Sequence, residues 1–203
     1  MCLAIRALPI LFSRTQESYQ IQKALGLTYT PGARTPGGLL PDLLISPVPP
    51  RQHRLWLTDD GFTLGTLALE CRSRANMPKL QDKVDMWLGP ESTVSMVLVL
   101  VVRIVDPVQG DHWYMCATLW AANEDRTKGP HILQGPIEFG TSDENRKPLP
   151  LPCTQTGTHI LKLPMNLLYR DADEVPTIPD QPGSSAQTWN LDLFYLQNLL
   201  LAR

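Results

Sequence analysis

The segment Met96–Val105, MVLVLVVRIV, constrains the fold more than any other stretch of this sequence. It is a continuous run of valine, leucine, isoleucine and methionine, interrupted only by Arg103. Such a run is typical of a β-strand that is covered on both faces, because a strand with one wet face would alternate apolar and polar residues. Together with Val94 and Ser95 the stretch is well short of the roughly 20 residues that a membrane-spanning helix needs. The sequence therefore predicts a central strand inside a folded domain.

The segments on either side of this strand predict an α/β order. Residues 112–121, HWYMCATLWA, are typical of a strand that pairs with it, and DPVQGD between the two suits a hairpin connection. Upstream, residues 62–70 predict a strand that ends on Glu70, after a turn at DDG. We therefore expect residues 62–70, 94–105 and 112–121 to be neighbouring strands.

Between the first two of these strands lies the clearest helix signal in the chain, at residues 77–88. Apolar residues recur there at helical intervals, Asn76 precedes them as a cap, and Gly89-Pro90 follows as a stop. Leu80, Val84 and Trp87 should pack this helix on one face of the sheet, and Lys79 and Lys83 share a neighbouring face.

Weaker signals complete the domain organisation. Residues 15–26 predict a short helix, and Leu43–Ile45 and residues 159–163 predict short strands, whereas residues 123–158 contain no strong element beyond one short strand. We predict one domain over residues 1–170, then a proline-rich and acidic linker over residues 171–188, and a C-terminal helix over residues 189–203.

Composition excludes several classes of protein. The chain has 203 residues, 43% of them hydrophobic, and 19 prolines, which indicates a folded but loop-rich domain. Its net charge of −2 gives no general attraction for polyanions, so a nucleic-acid site would need a local basic patch. The four cysteines form no C-x-x-C pair, which argues against a zinc ribbon or a disulfide framework. We expect no secretion signal, no membrane span and an intracellular location, cytoplasmic or nuclear.

The order of a few charged residues then carries a resemblance to a known family. Pro41-Asp42 precedes a strand, Glu70 ends the next strand with Arg72 two residues on, and Lys83 lies in the following helix. This order resembles the PD-(D/E)XK nuclease superfamily. The stretch LECRSRANMPKLQDKVDMWL, followed by a Val/Leu-rich strand, is similar to restriction-endonuclease-like proteins of fungal genomes. The resemblance implies an α/β restriction-endonuclease-like core, a central mixed β-sheet flanked by helices, with loop-rich N- and C-terminal extensions.

The resemblance also implies a chemistry for these residues. Hydrolysis of a phosphodiester bond needs an activated water and a cation beside the scissile phosphate, and a divalent metal held by carboxylates supplies both. Asp42, Glu70 and the carbonyl of Cys71 would hold Mg²⁺ or Mn²⁺. Arg72 stands where the family has lysine, and arginine cannot accept a proton near neutral pH. Lys83 is therefore expected to orient the attacking water.

Arg72 and Lys79 would then contact the phosphates of a nucleic acid, with DNA favoured over RNA, and a homodimer stays open. Each residue also has an ordinary interpretation: Asp42 as a turn residue, Lys79 and Lys83 as a solvated helix face. The alternative function is a catalytically inactive relative with the same fold that acts as a binding or interaction module. Convergence of Asp42, Glu70 and Lys83 on one exposed pocket would favour the enzyme.

Overall fold

The computed structural model describes residues 27–30, 43–47, 66–72, 77–106, 112–145, 147–170 and 188–201. The elements are β1 (Leu27–Thr30), β2 (Leu43–Pro47), β3 (Leu67–Arg72), α1 (Met77–Trp87), β4 (Met96–Asp106), β5 (His112–Ala121), β6 (His131–Glu138), β7 (Ile160–Pro164), α2 (Met165–Leu168), β8 (Thr188–Asp192) and α3 (Leu193–Leu201). The helix predicted at residues 15–26 lies outside the described residues, as does the predicted linker apart from residue 188.

Strands β1 to β6 form one mixed sheet in which the spatial order follows the order in the chain. Only β3 and β4 run parallel, and every other neighbouring pair is antiparallel. The prediction that β3, β4 and β5 are neighbouring strands is confirmed, and β3 continues past Glu70 to Arg72. Residues 62–65 of the predicted strand lie outside the described residues. The chain thus belongs to the α/β class, with a mixed sheet and a separate two-stranded sheet of β7 and β8.

Helix α1 makes the crossover between β3 and β4, because the chain must return to the end of the sheet where β3 began before it can start a parallel strand. It packs on one face of the sheet, which we call the α1 face. Leu80, Val84 and Trp87 are buried there, as predicted from the helical spacing. Their neighbours in this core include Ala68 of β3 and Val97, Val99 and Val101 of β4. The helix ends where Trp87 is followed by Leu88 and Gly89.

The opposite face of the sheet is covered by the C-terminal part of the chain. Residues such as Leu69, Leu98 and Leu119 form one core there with Leu161 of β7 and Leu196 of α3. Strand β4 is therefore covered on both faces, which explains its unbroken apolar sequence. Within the part of the chain that the structure describes, no helix is long and apolar enough to cross a membrane.

The C-terminal helix begins later than predicted. Residues 188–192 form β8, where burial alternates so that Trp189 and Leu191 face the core. This segment forms a strand rather than the start of the helix, because its backbone pairs with β7 along its whole length, from Thr188 to Asp192. Helix α3 starts only at Leu193, where the Asp192 carboxylate accepts a hydrogen bond from the Phe194 N–H at 3.0 Å and caps the helix.

Strand β6 is one of the two outer strands of the sheet, and its sequence indicates a strand only weakly. Its residues are largely exposed, and Gly135 and Pro136 interrupt it. Gly135 has a φ of +102°, and a Cβ atom there would lie 2.6 Å from the Ala117 carbonyl oxygen, so glycine is required for β5 and β6 to pair at this point. The Gln134 side chain also bonds the backbone of β7, donating to the Ile160 carbonyl at 3.0 Å and accepting from the Lys162 N–H at 2.8 Å.

Candidate functional site

Glu70 lies beneath helix α1, in the interior of strand β3. Side chains alternate along a strand, and Leu69 and Cys71 belong to the core on the opposite face. Glu70 therefore shares the α1 face with Ala68, and it is 0% exposed. The sequence placed this carboxylate at a strand end, but the parallel ladder with β4 continues through Arg72, opposite Val101. The charge is thus enclosed between sheet and helix.

Two side chains of α1 reach the Glu70 carboxylate. The Lys83 ammonium lies 3.1 Å from Oε1 and 3.1 Å from Oε2. The Trp87 indole N–H donates to Oε1 at 3.0 Å. Lys83 and Trp87 are four residues apart and so project from the same side of the helix. Because the Lys83 side chain is 30% exposed, it enters the site from the helix edge.

These contacts offset the burial of the charge. Moving an isolated carboxylate out of water costs several kcal/mol, and a buried ion pair is stable only when its geometry is good and its other polar atoms are bonded. Here an ammonium contacts both oxygens and an indole N–H adds a bond from a neutral donor. The bonds from Lys83 and Trp87 hold α1 against β3, and they leave Glu70 in contact with protein rather than with solvent.

The remaining predicted site residues are in different situations. Asp42 lies outside the described residues. Arg72 is the last residue of β3, and Lys79 is exposed in the first turn of α1. The Cys71 side chain is buried on the face opposite Glu70, and its backbone lies within the sheet in register with Leu100.

The structure thus brings Glu70 and Lys83 together and leaves Lys79 apart at the surface. Among the described residues, no three His, Cys, Asp or Glu side chains come close enough to one another to hold a metal ion. The Mg²⁺ or Mn²⁺ site stays a prediction that depends on Asp42.

Sequence reasoning missed the polar role of Trp87. Trp87 was expected as a core aromatic, and it is 1% exposed, but its N–H also binds the carboxylate. Tryptophan has one donor that needs a partner when the ring is buried. The signal available in the sequence was the spacing: Lys83 and Trp87 are four residues apart on a helix that follows a strand containing Glu70.

A second polar group lies on the α1 face, beyond the carboxyl end of β3. The Arg103 guanidinium stacks over the Tyr114 ring at 5.5 Å and donates to the Glu144 carbonyl at 2.8 Å. Burial, followed by the neighbouring Cys116, raises the pKa of Tyr114, so its phenol stays neutral at physiological pH. Burial also raises the pKa of the Cys116 thiol. This group orders the sheet face and contains no activated nucleophile.

Comparison with protein-family models, with curated proteins and with solved structures finds no match to this chain. Function is therefore inferred from the residues and their geometry.

Proposed function

We propose that this chain is a restriction-endonuclease-like α/β protein whose nuclease site is closed, and that it binds nucleic acid without cutting it. The observation that carries the proposal is the state of Glu70: its side chain is 0% exposed, and the Lys83 ammonium contacts both of its oxygens. A nuclease of this superfamily would need that carboxylate to hold a metal ion at an open position beside the phosphate.

The order of elements around Glu70 supports the nuclease-type core. A carboxylate-bearing strand, β3, is followed by a helix that ends at Trp87 and then by the valine-rich β4, which runs parallel to β3. Antiparallel strands β2 and β5 lie outside this pair. This arrangement agrees with the central mixed sheet that the resemblance implies.

Two further features support loss of catalysis. A divalent ion at Glu70 would have to displace the Lys83 ammonium and compete with the Trp87 N–H for Oε1. Arg72 also stands at the motif position where the family has lysine, and a guanidinium cannot take a proton from water near neutral pH.

Basic residues near the carboxyl end of β3 support binding to a phosphate backbone. Arg72 ends that strand, and the exposed Lys79 follows in the first turn of α1. Lysine and arginine contribute affinity for phosphates without reading sequence. Within this proposal, DNA is the favoured ligand over RNA, and the location is intracellular, cytoplasmic or nuclear.

An active metal-dependent nuclease is the second candidate, and the contact between Lys83 and Glu70 favours it. A lysine on the helix that reaches the strand carboxylate is the arrangement that we expected for a nuclease whose lysine has moved from the strand. In this candidate Asp42 and Glu70, with the Cys71 carbonyl, would hold Mg²⁺ or Mn²⁺.

Binding and cleavage measured on the same purified full chain separate these candidates. Fluorescence anisotropy with labelled double-stranded DNA, single-stranded DNA and RNA measures binding, and gels of the same mixtures with Mg²⁺, Mn²⁺ or EDTA measure cleavage. We expect binding that persists in EDTA, weakens as salt rises, and is not accompanied by cleavage. Metal-dependent cleavage that Glu70→Gln abolishes would support the active nuclease instead. Absence of binding to every nucleic acid would refute the proposal that the protein is a nucleic-acid-binding module.

A matched pair of variants tests the binding surface. Lys79→Ala should weaken binding several-fold at low salt, because one phosphate contact is lost. Lys162→Ala is the control: Lys162 is also exposed, but it lies on β7, in the layer that packs on the opposite face of the sheet. Equal effects of the two substitutions would mean that binding follows overall charge and not this surface.

A further inference from the structure

We infer that a second phosphate contact, Lys147, lies on the loop between β6 and β7, so that a bound nucleic acid crosses the carboxyl end of β3. Arg103 and Asp143 are positioning residues that hold this loop at the same end of the sheet. We call residues 141–147 the Asp143 loop, of which residue 146 lies outside the described residues. The inference rests on the proposed function, because it extends the basic surface that begins where β3 ends.

Arg103 lies at the end of the sheet where the proposed surface begins. Arg72 ends β3 in register with Val101, and the parallel strand β4 runs on past this point to Arg103. Helix α1 also starts at this end, because the chain enters it soon after β3. Arg103 is therefore at the same end of the sheet as the exposed Lys79.

The Asp143 loop is bonded to this end of the sheet at two points. The Arg103 guanidinium donates to the Glu144 carbonyl at 2.8 Å. The N–H groups of Thr141 and Ser142 donate to the carbonyl of Trp113, the second residue of β5, at 2.8 and 3.2 Å. Because neighbouring strands lie about 4.8 Å apart, β3 and β5 are separated by roughly 10 Å, a distance that one nucleic acid spans.

Asp143 closes the loop from within. Its Oδ1 accepts hydrogen bonds from the N–H groups of Asn145 and Lys147, both at 2.8 Å. Its own N–H donates to the Lys147 carbonyl at 2.8 Å. These three bonds fix the backbone of Lys147, which is exposed. A lysine on a fixed backbone loses less conformational freedom when it contacts a phosphate.

The charges of the loop leave Lys147 as its outward cation. Oδ1 of Asp143 is turned onto the N–H groups of its own loop. The charge of Glu144 is opposed by the Arg103 guanidinium, which contacts the carbonyl of the same residue. Among the described residues, none forms an ion pair with the Lys147 ammonium.

The test measures binding of labelled double-stranded DNA to the full chain by fluorescence anisotropy over a range of salt concentrations. Lys147→Ala should weaken binding several-fold at low salt and reduce the slope of log K against log salt by about 1. Lys128→Ala is the matched control. Lys128 is 79% exposed, and its loop lies at the opposite end of the strands, where Arg126 donates to the Gly89 carbonyl before β4. Equal losses in the two variants would overturn the inference.

Two substitutions of Asp143 separate the position of the loop from its charge. Asp143→Asn and Asp143→Ala remove the same negative charge, but only asparagine keeps an oxygen that can accept the two N–H bonds. We expect Asp143→Asn to bind DNA at least as tightly as wild type and Asp143→Ala to bind it several-fold more weakly. Amide hydrogen exchange at Asn145 and Lys147 should accelerate only in Asp143→Ala. Tighter binding by both variants would overturn the positioning role, because charge alone predicts that result.

Arg103→Lys tests the second positioning residue without a change of charge. Lysine lacks the planar fork that reaches the Glu144 carbonyl, so binding should weaken although the positive charge remains. Wild-type binding that Lys147→Ala and Arg103→Lys both leave unchanged would overturn the inference, and the proposed function would stand. If the wild type binds no nucleic acid, the proposed function fails and the inference fails with it.

Discussion

Trp87 offers the most informative single substitution, because it combines packing with a bond to the buried carboxylate. It is 1% exposed in the core of the α1 face, and its N–H donates to Glu70 Oε1 at 3.0 Å. Trp87→Ala should cost about 3–5 kcal/mol through lost burial and a residual cavity. Trp87→Phe keeps most of the ring volume and removes the donor, so its cost isolates the hydrogen bond.

The magnitude for Trp87→Phe follows from the charge on its acceptor. A hydrogen bond to a charged group contributes about 1.5–3 kcal/mol, and Lys83 still contacts the same oxygen, so we expect about 1.5 kcal/mol plus a smaller packing loss. For a chain of this length, 1 kcal/mol shifts the melting temperature by about 2–4 °C. In a Glu70→Gln background the bond becomes neutral, and its contribution should fall by about half.

Thermal and urea unfolding followed by far-ultraviolet circular dichroism measures these differences. Trp120→Phe is the matched control, because Trp120 is a partly buried tryptophan that packs against the same core. If Trp87→Phe costs no more than Trp120→Phe, the bond to Glu70 contributes nothing. An unchanged melt for Trp87→Ala would show that α1 does not pack on this face as described.

Three other substitutions test separate parts of the account. Lys83→Met should destabilise the fold by about 3–5 kcal/mol. In a double-mutant cycle measured by urea unfolding, adding Glu70→Gln should recover part of that loss, whereas purely additive losses would argue against the Lys83–Glu70 ion pair. Asp192→Ala should cost about 0.5–2 kcal/mol by removing the cap of α3, whereas Asp192→Asn should cost less. Burial, aided by the charge of Asp192, raises the pKa of Cys153 from 9.0 to about 11. The thiol form is thus favoured in the folded state, and the stability it contributes is present below about pH 9 and lost as pH rises through about 11. Cys153→Ala should therefore flatten the alkaline loss of stability in melts taken from pH 8 to pH 11, and an unchanged slope would contradict the assignment.

The central elements could be predicted from the sequence because each carries a strong periodic signal. The unbroken apolar run of β4 follows from cover on both faces, and the helical spacing in α1 identified the residues that pack on the sheet. Strand β6 was predicted only as one short strand within residues 123–158, because an edge strand with exposed residues and a Gly-Pro interruption resembles a loop. Strand β8 is short and runs directly into α3, so its alternation was hidden by the helix that follows.

The pairing of Lys83 with Glu70 could be predicted from the sequence, but the burial of Glu70 could not. Helical spacing placed Lys83 where it could reach back to the strand, and the structure brings it to Glu70. Burial of the carboxylate could not be predicted, because the sequence around Glu70 does not indicate where the strand ends. Pairing with β4 extends β3 to Arg72 and encloses Glu70 under the helix. A strand that ended at Glu70 would leave the carboxylate exposed as a metal ligand. The two further residues of β3 make it part of a buried ion pair instead.

The most direct measurement is an anomalous difference map from crystals of the full-length protein soaked in MnCl₂. The account predicts that Lys83 Nζ stays within hydrogen-bonding distance of both Glu70 oxygens and that no manganese peak lies on that carboxylate. A manganese peak bound to Glu70, with the Lys83 ammonium displaced from it, would contradict the closed site and support a metal-dependent nuclease.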